Sequence, residues 1–156
     1  MKAICGGRLV LHDRIETGKA VLFEEKIVGI VPEAEIPAGT ERIEVQGALV
    51  TPGLFDVHIH GSGGCDTMDG TVEALHTIAS TVAQNGVTRF LATSVTLPLE
   101  RTGEVFDTVR TVVGKSGEGW DAAVIEGINM EGPFIHPAYK GAHEESYIAD
   151  FDFDFI

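Results

Sequence analysis

Hydrophobic and polar residues alternate in short runs over the first fifty positions. Residues 2–5, 8–11, 20–24 and 26–31 are brief apolar or alternating stretches separated by Gly, Asp and charged pairs, a pattern of strands rather than helices. Residues 32–39 read as a loop. Residues 41–45 alternate, with Glu41, Ile43 and Val45 set against Arg42 and Glu44, and 48–51 form a last short run before Pro52-Gly53. This part is expected to be all β.

The period changes at Pro52. Residues 54–59 read as a strand, and a glycine-rich loop follows. Val72, Leu75, Ile78, Ala79 and Val82 then recur at helical spacing over 71–84, with Asn85-Gly86 as the stop. Residues 87–92 predict a second strand. A second helix begins near Pro98 and carries Val105, Phe106, Val109, Val112 and Val113 on one face, and residues 122–130 predict a third strand. Strand–helix–strand–helix–strand is the pattern of a parallel sheet with right-handed crossovers, whose chemistry sits at the carboxyl ends of the strands. Residues 148–156 read IADFDFDFI, with neither cap nor turn. Three parallel strands cannot close a barrel, so the expectation is the front part of a longer polypeptide. The alternative is a small α/β domain ending in an edge strand of alternating Asp and Phe, a hazard that proteins avoid.

Composition narrows the function classes. The chain has 156 residues with 11 Lys+Arg against 24 Asp+Glu, a net charge of −13, which opposes nucleic acid and anionic membrane surfaces as partners. No apolar run approaches the roughly 20 residues that a bilayer span needs. The first residues meet Gly and Arg too early for a secretory signal, and two cysteines suit a reducing compartment. The expectation is a cytoplasmic protein. Glycine, at 19 of 156 residues, exceeds the usual ~7%. Gly61, Gly63 and Gly64, then Gly127, Gly132 and Gly141, are expected to leave room beside a site.

Three groups carry candidate chemistry. In Asp56-Val57-His58-Ile59-His60, period-2 alternation places Asp56, His58 and His60 on one face. Two imidazoles at i and i+2 can converge on one ion, with Asp56 orienting a ligand from behind. Imidazole suits Zn²⁺, Fe²⁺, Ni²⁺ and Co²⁺ alike, and a solvated strand end holding two His is the plainer alternative. Glu131 follows the third strand, beside Gly132-Pro133, where the chain must turn and a carboxylate points out of the same sheet edge, with a Glu simply solvated in a turn as the plainer alternative. Lys140-Gly141-Ala142-His143, with His136 upstream, forms a cationic, Gly-bearing loop suited to an anionic or polar substrate, or an ordinary surface loop. Lys140, with its long side chain, is expected in solvent. Gly61-Ser62-Gly63-Gly64 lacks the order of a phosphate-binding loop. His12 and His76 read as surface residues, Cys65 as half-buried, and Asp66 and Asp69 as caps of the first helix.

Together these segments resemble the amidohydrolase superfamily, and within it the N-acetylglucosamine-6-phosphate deacetylases. PGLFDVHIHG after a β-rich start is shared by many amidohydrolases, whereas GGCDTMD and MEGPF…KGAH are particular to the deacetylases. The resemblance implies an α/β chain. Residues 1–50 would be the N-terminal part of a small β-sandwich, and residues 51–156 the first three β/α units of a (β/α)8 TIM barrel, apparently truncated. It implies a divalent metal, Zn²⁺ first and Fe, Co, Ni or Mn otherwise, one or two per subunit. Glu131 is the implied metal ligand, His58 and His60 a ligand pair, and Ala142 and His143 the substrate contacts. The implied substrate is a small amino-sugar phosphate, N-acetyl-D-glucosamine 6-phosphate, hydrolysed to D-glucosamine 6-phosphate and acetate by a full-length homodimer. The family's two later His, its general-base Asp and its phosphate-binding Arg have no counterpart in this sequence, so the catalytic base is expected outside it. Another amidohydrolase acting on a cyclic amide or aminated base, or a non-catalytic fragment, are the alternatives.

Overall fold

A computed structural model describes residues 1–155 of the chain. It divides into two compact units, Met1–Pro52 and Gly53–Ile156. No helix among the described residues is long and apolar enough to cross a membrane.

The first unit is all β, as its short alternating runs require. Its strands are β1 (Lys2–Cys5), β2 (Arg8–Val10), β3 (Ile15–Glu16), β4 (Lys19–Phe23), β5 (Ile27–Pro32), β6 (Glu41–Glu44) and β7 (Leu49–Val50). They form a four-stranded sheet in the order β5-β4-β1-β6 and a three-stranded sheet in the order β3-β2-β7. Pairing is antiparallel except for β1 with β6 and β2 with β7. Alternation buries Ala3, Cys5, Ala20 and Leu22 together, with Val31 and Ile36 packed against them. Burial also pushes the Cys5 thiol above its usual range. The two-residue β3 was not legible as a run. It is fixed instead by pairing with β2 and by Glu16, whose carboxylate lies 2.5 Å from Lys19 Nζ and 2.6 Å from Arg14 Nε.

The second unit contains β8 (Phe55–Ile59), β9 (Gly61–Ser62), β10 (Cys65–Asp66), α1 (Val72–Ala83), β11 (Arg89–Thr93), α2 (Leu99–Arg110) and β12 (Val124–Asn129). Strands β8, β11 and β12 form a parallel sheet in the order β12-β11-β8, and β9 and β10 form a separate two-stranded sheet. Each helix presents its apolar stripe to the sheet. Leu75, Ile78, Ala79 and Val82 of α1 and Val105, Phe106 and Val109 of α2 enclose Phe90, Ala92 and Ile125, with Trp120 alongside.

Several expectations need correction here. Asp66 and Asp69 do form a reciprocal cap, but around the 3-10 turn Thr67–Asp69, and α1 is capped by the Thr71 hydroxyl accepting from Ala74 N–H. Helix α2 stops at Arg110, so Val112 is buried from the turn beyond it, while Val113 is 41% exposed. After β12 come two 3-10 turns, Pro137–Tyr139 and Glu145–Tyr147, rather than a third helix, so the described residues of the second unit hold one sheet of three parallel strands and two α-helices. The Asp–Phe alternation at the end makes no strand over 151–155; Ile156 lies outside the described residues. Phe151 and Phe155 instead pack on Phe134, and Phe155 also reaches Phe106.

Two measurements check this packing. Phe90 is fully buried between sheet and helices, so Phe90→Ala is expected to cost about 3–5 kcal/mol in urea unfolding followed by Trp120 fluorescence; a loss under about 1 kcal/mol contradicts the assigned core. In the first unit, hydrogen bonds from Lys19 and then Arg14 hold the Glu16 carboxyl below its usual range, against the opposing effect of burial. A lowered carboxyl pKa stabilises above the ordinary glutamate value of about 4.3 and loses that contribution as pH falls through the lowered value. Glu16→Gln should therefore lower Tm at neutral pH, with the gap closing in acid. An equal gap at both ends of the range contradicts the ion pairs.

Candidate metal site

Parallel pairing brings the carboxyl ends of β8, β11 and β12 to one edge, and the side chains there are tied together by hydroxyls. Thr93, fully buried at the end of the central strand, accepts from Ile59 N–H at 2.9 Å and from Asn129 Nδ2 at 3.4 Å. Its hydroxyl thus fixes the backbone between His58 and His60. The two imidazoles converge, with their Nε2 atoms 3.3 Å apart and their rings edge to face. The pairing of β8 with β11 slips between Phe90 and Ala92: Asp56 lies opposite Phe90 and Ile59 opposite Ala92. Three steps of one strand against two of the other interrupt the alternation expected from Asp56 to His60. Asp56 accordingly accepts from the His58 backbone N–H at 3.0 Å; it steadies the irregular strand rather than either ring.

Glu131 comes from just beyond β12. Its N–H donates to Ser94 Oγ at 3.1 Å, and Ser94 N–H donates to Asn129 O at 3.1 Å. Gly132 follows with φ of +74°, and the Thr96 side chain fills the place a Cβ would take; the Gly132–Pro133 peptide is cis. The positive φ and the Thr96 side chain both require glycine at 132. Thus held, the Glu131 carboxylate spans three imidazoles: Oε2 lies 2.8 Å from His58 Nε2 and 3.3 Å from His60 Nε2, while Oε1 lies 2.9 Å from His143 Nε2.

This donor set fits a cation. Ligand atoms of His58, His60 and Glu131 all lie within 4.8 Å of one another. His60 Nδ1 is buried with no hydrogen-bond partner, and Glu131 Oε2, close to two imidazole nitrogens, makes no well-aligned hydrogen bond; a bound ion is one way to satisfy such atoms. The His143 hydrogen bond, followed by the charges of His60 and His58, holds the Glu131 carboxyl below its usual range against desolvation. It is therefore ionised at neutral pH and able to serve as a ligand.

A cavity of about 530 Å³ adjoins this cluster, lined among others by His60, Thr96, Glu131, Tyr139, Lys140, Ala142 and His143. Ala142 is exposed and His143 half-buried. Lys140 is not the solvent residue expected: its ammonium donates to the His143 carbonyl at 3.0 Å and closes the loop. His136 accepts from Ala138 N–H and stays outside the cluster. Gly63 and Gly64, both at positive φ, turn the β9–β10 hairpin onto α1, and Gly61 has Cys65 backbone where a Cβ would go. These glycines shape the hairpin rather than open space for a ligand. His12 is exposed in a turn, and His76 packs edge-on to Trp120. Sequence reasoning did not assign Thr93, Ser94 or Thr96. Their signal is a run of hydroxyl residues at a strand's carboxyl end, Thr93-Ser94-Val95-Thr96.

No protein-family model matches the chain. Over 152 residues, 96% of its length, it is 33% identical to the human N-acetylglucosamine-6-phosphate deacetylase, covering 35% of that protein. It is 31% identical over 115 residues to the N-acetylgalactosamine-6-phosphate deacetylase of Escherichia coli O157:H7, covering 74% of this chain and 29% of that one. The crystal structure of the Pasteurella multocida N-acetylglucosamine-6-phosphate deacetylase superimposes with a TM-score of 0.83 at 25% identity, over 98% of this chain and 40% of that one. The chain thus spans between about a quarter and two fifths of the length of the relatives it matches. By sequence and by fold, it is a homologue of the N-acetylglucosamine-6-phosphate deacetylases.

Proposed function

We propose that this chain supplies the first part of a metal-dependent deacetylase acting on N-acetyl-D-glucosamine 6-phosphate in the cytoplasm, within a homodimer. In this reading residues 1–50 belong to a β-sandwich. Residues 51–156 contribute the opening β/α units of an amidohydrolase barrel, the third without its helix among the described residues. The observation that carries the reading is the convergence of Glu131, His58 and His60 at the carboxyl edge of a parallel sheet, beside the cavity walled by the 140–143 loop.

Glu131 would hold a divalent ion, with His58 and His60 holding the same ion or a second. Nitrogen and oxygen donors without sulfur suit Zn²⁺ and leave Fe²⁺, Co²⁺, Ni²⁺ and Mn²⁺ open. Bound there, such an ion supplies the positive charge that acidifies water and polarises an amide carbonyl. The chain's own residues do the positioning. Thr93 fixes the backbone between the imidazoles, Asp56 accepts from the His58 backbone N–H, and Ser94 holds the Glu131 backbone. The Ala142–His143 wall faces the cavity that would receive the amino sugar. Proton transfer to the leaving amine falls to a carboxylate that the resemblance puts outside these residues.

Metal content and acetate release test this together. The metal-loaded product of the complete reading frame is expected to release acetate from N-acetyl-D-glucosamine 6-phosphate. Glu131→Gln should lose metal and on the order of 100-fold or more in kcat/KM, the loss of several kcal/mol of charge stabilisation. Unchanged metal stoichiometry in that variant removes Glu131 from the ligand set. Acetate release from the galactosamine epimer alone reassigns the substrate.

A further inference from the structure

Both neighbours of β11 take one residue more than it does over the same stretch. Asp56 and Ile59 of β8 lie opposite Phe90 and Ala92, while on the other side Ile125 and Gly127 of β12 lie opposite the adjacent Phe90 and Leu91. Each outer strand is therefore bulged at this level, and a bulge bends its strand and re-aims the side chains. His58 lies inside the β8 bulge and His60 just beyond it, and Glu131 follows the β12 bulge. One side chain joins the two strands past their bulges. Thr93, fully buried, accepts from Ile59 N–H at 2.9 Å and from Asn129 Nδ2 at 3.4 Å, and donates to Leu91 O at 3.4 Å. A hydroxyl has one donor and two acceptor sites, and here each goes to a different parallel strand. We infer that Thr93 is a positioning residue that holds the two bulges in step, so that the imidazole pair and the Glu131 carboxylate arrive at one point.

The inference rests on the metal reading above and deepens it: the convergence depends on a hydroxyl bonded to none of the three ligand side chains. A bulge is one residue away from regular pairing, and a one-residue slip turns side chains to the opposite face of the sheet. Something has to hold the slipped register. The ion pair between Arg89 and Glu126, the extra residue of β12, is a second link across these strands, but its side chains are 55% and 30% exposed and lie away from the carboxyl edge. Water screens such a pair. The buried hydroxyl is the stronger tie and sits at the edge itself. Groups that orient ligands from behind are worth about 10–100-fold in metal affinity.

Two measurements on the product of the complete reading frame test this: hydrogen exchange of the Ile59 peptide without metal, and Co²⁺ titration against a competing chelator, read by the visible absorption of the bound ion. Thr93→Val keeps the shape and β preference of the side chain but removes the hydroxyl. It should speed exchange at Ile59 by about 10-fold, weaken Co²⁺ by about 10–100-fold and alter its spectrum. Thr93→Ser should restore both to within a few fold. Asn129→Ala cuts the tie from the other strand, and should weaken Co²⁺ while Ile59 stays protected; it serves if Thr93→Val fails to fold. Thr102→Val removes a hydroxyl of equal burial in α2, bonded to Pro98 O, and should leave the Co²⁺ spectrum and affinity as in wild type. Wild-type Co²⁺ binding in folded Thr93→Val or Asn129→Ala overturns the inference, as does equal weakening in Thr102→Val, which would make general loss of stability the cause. Binding abolished in Glu131→Gln alongside those outcomes leaves the metal reading intact. Identical titrations for wild type and Glu131→Gln overturn the metal reading, and exchange at Ile59 in Thr93→Val then still decides whether the hydroxyl holds the strand.

Discussion

Parallel pairing is the constraint on which the rest depends. In β8, β11 and β12 the chain always leaves the sheet at the same edge, so residues far apart in sequence meet there without any loop having to bring them. His58 and Glu131 are 73 positions apart, yet their side-chain atoms lie 2.8 Å from each other. The crossover helices make this affordable in free energy: α1 and α2 each bury an apolar stripe on the sheet, and that burial offsets the polar convergence at the edge.

The edge is also an electrostatic exception. The chain carries net charge −13, but three imidazoles surround one carboxylate at the strand ends. Long-range attraction for an anionic ligand would be weak in such a field. The protein spends hydroxyls and backbone groups on holding the cluster. Thr93, Ser94 and the Thr96 N–H are each bonded to a residue that carries or flanks a candidate ligand. They set orientation without adding charge.

Much of this was legible in the residues. Two His at i and i+2 could converge on one ion, and a Glu beside Gly-Pro after the third strand was expected to leave the same sheet edge. The strand and helix order followed from the change of period at Pro52. What was not legible depended on tertiary register. The slip of β8 against β11 between Asp56 and Ile59 was not legible, because no single-strand pattern records a partner's spacing. Asp66 and Asp69 were correctly read as caps but assigned to the wrong element, since a 3-10 turn precedes α1. Lys140 looked like a solvent residue because its acceptor, the His143 carbonyl, exists only once the loop has folded back. The Phe-rich end imitates a strand by composition, while its rings find Phe134 and Phe106 instead.

X-ray absorption at the zinc edge of the Zn²⁺-loaded chain tests the central claim most directly: that the ends of two parallel strands hold one ion through imidazole and carboxylate. The account predicts a nitrogen and oxygen shell at about 2.0–2.2 Å, with outer imidazole scattering that disappears in the His58→Ala, His60→Ala double variant. A sulfur shell near 2.3 Å, or imidazole scattering unchanged in that variant, would contradict it.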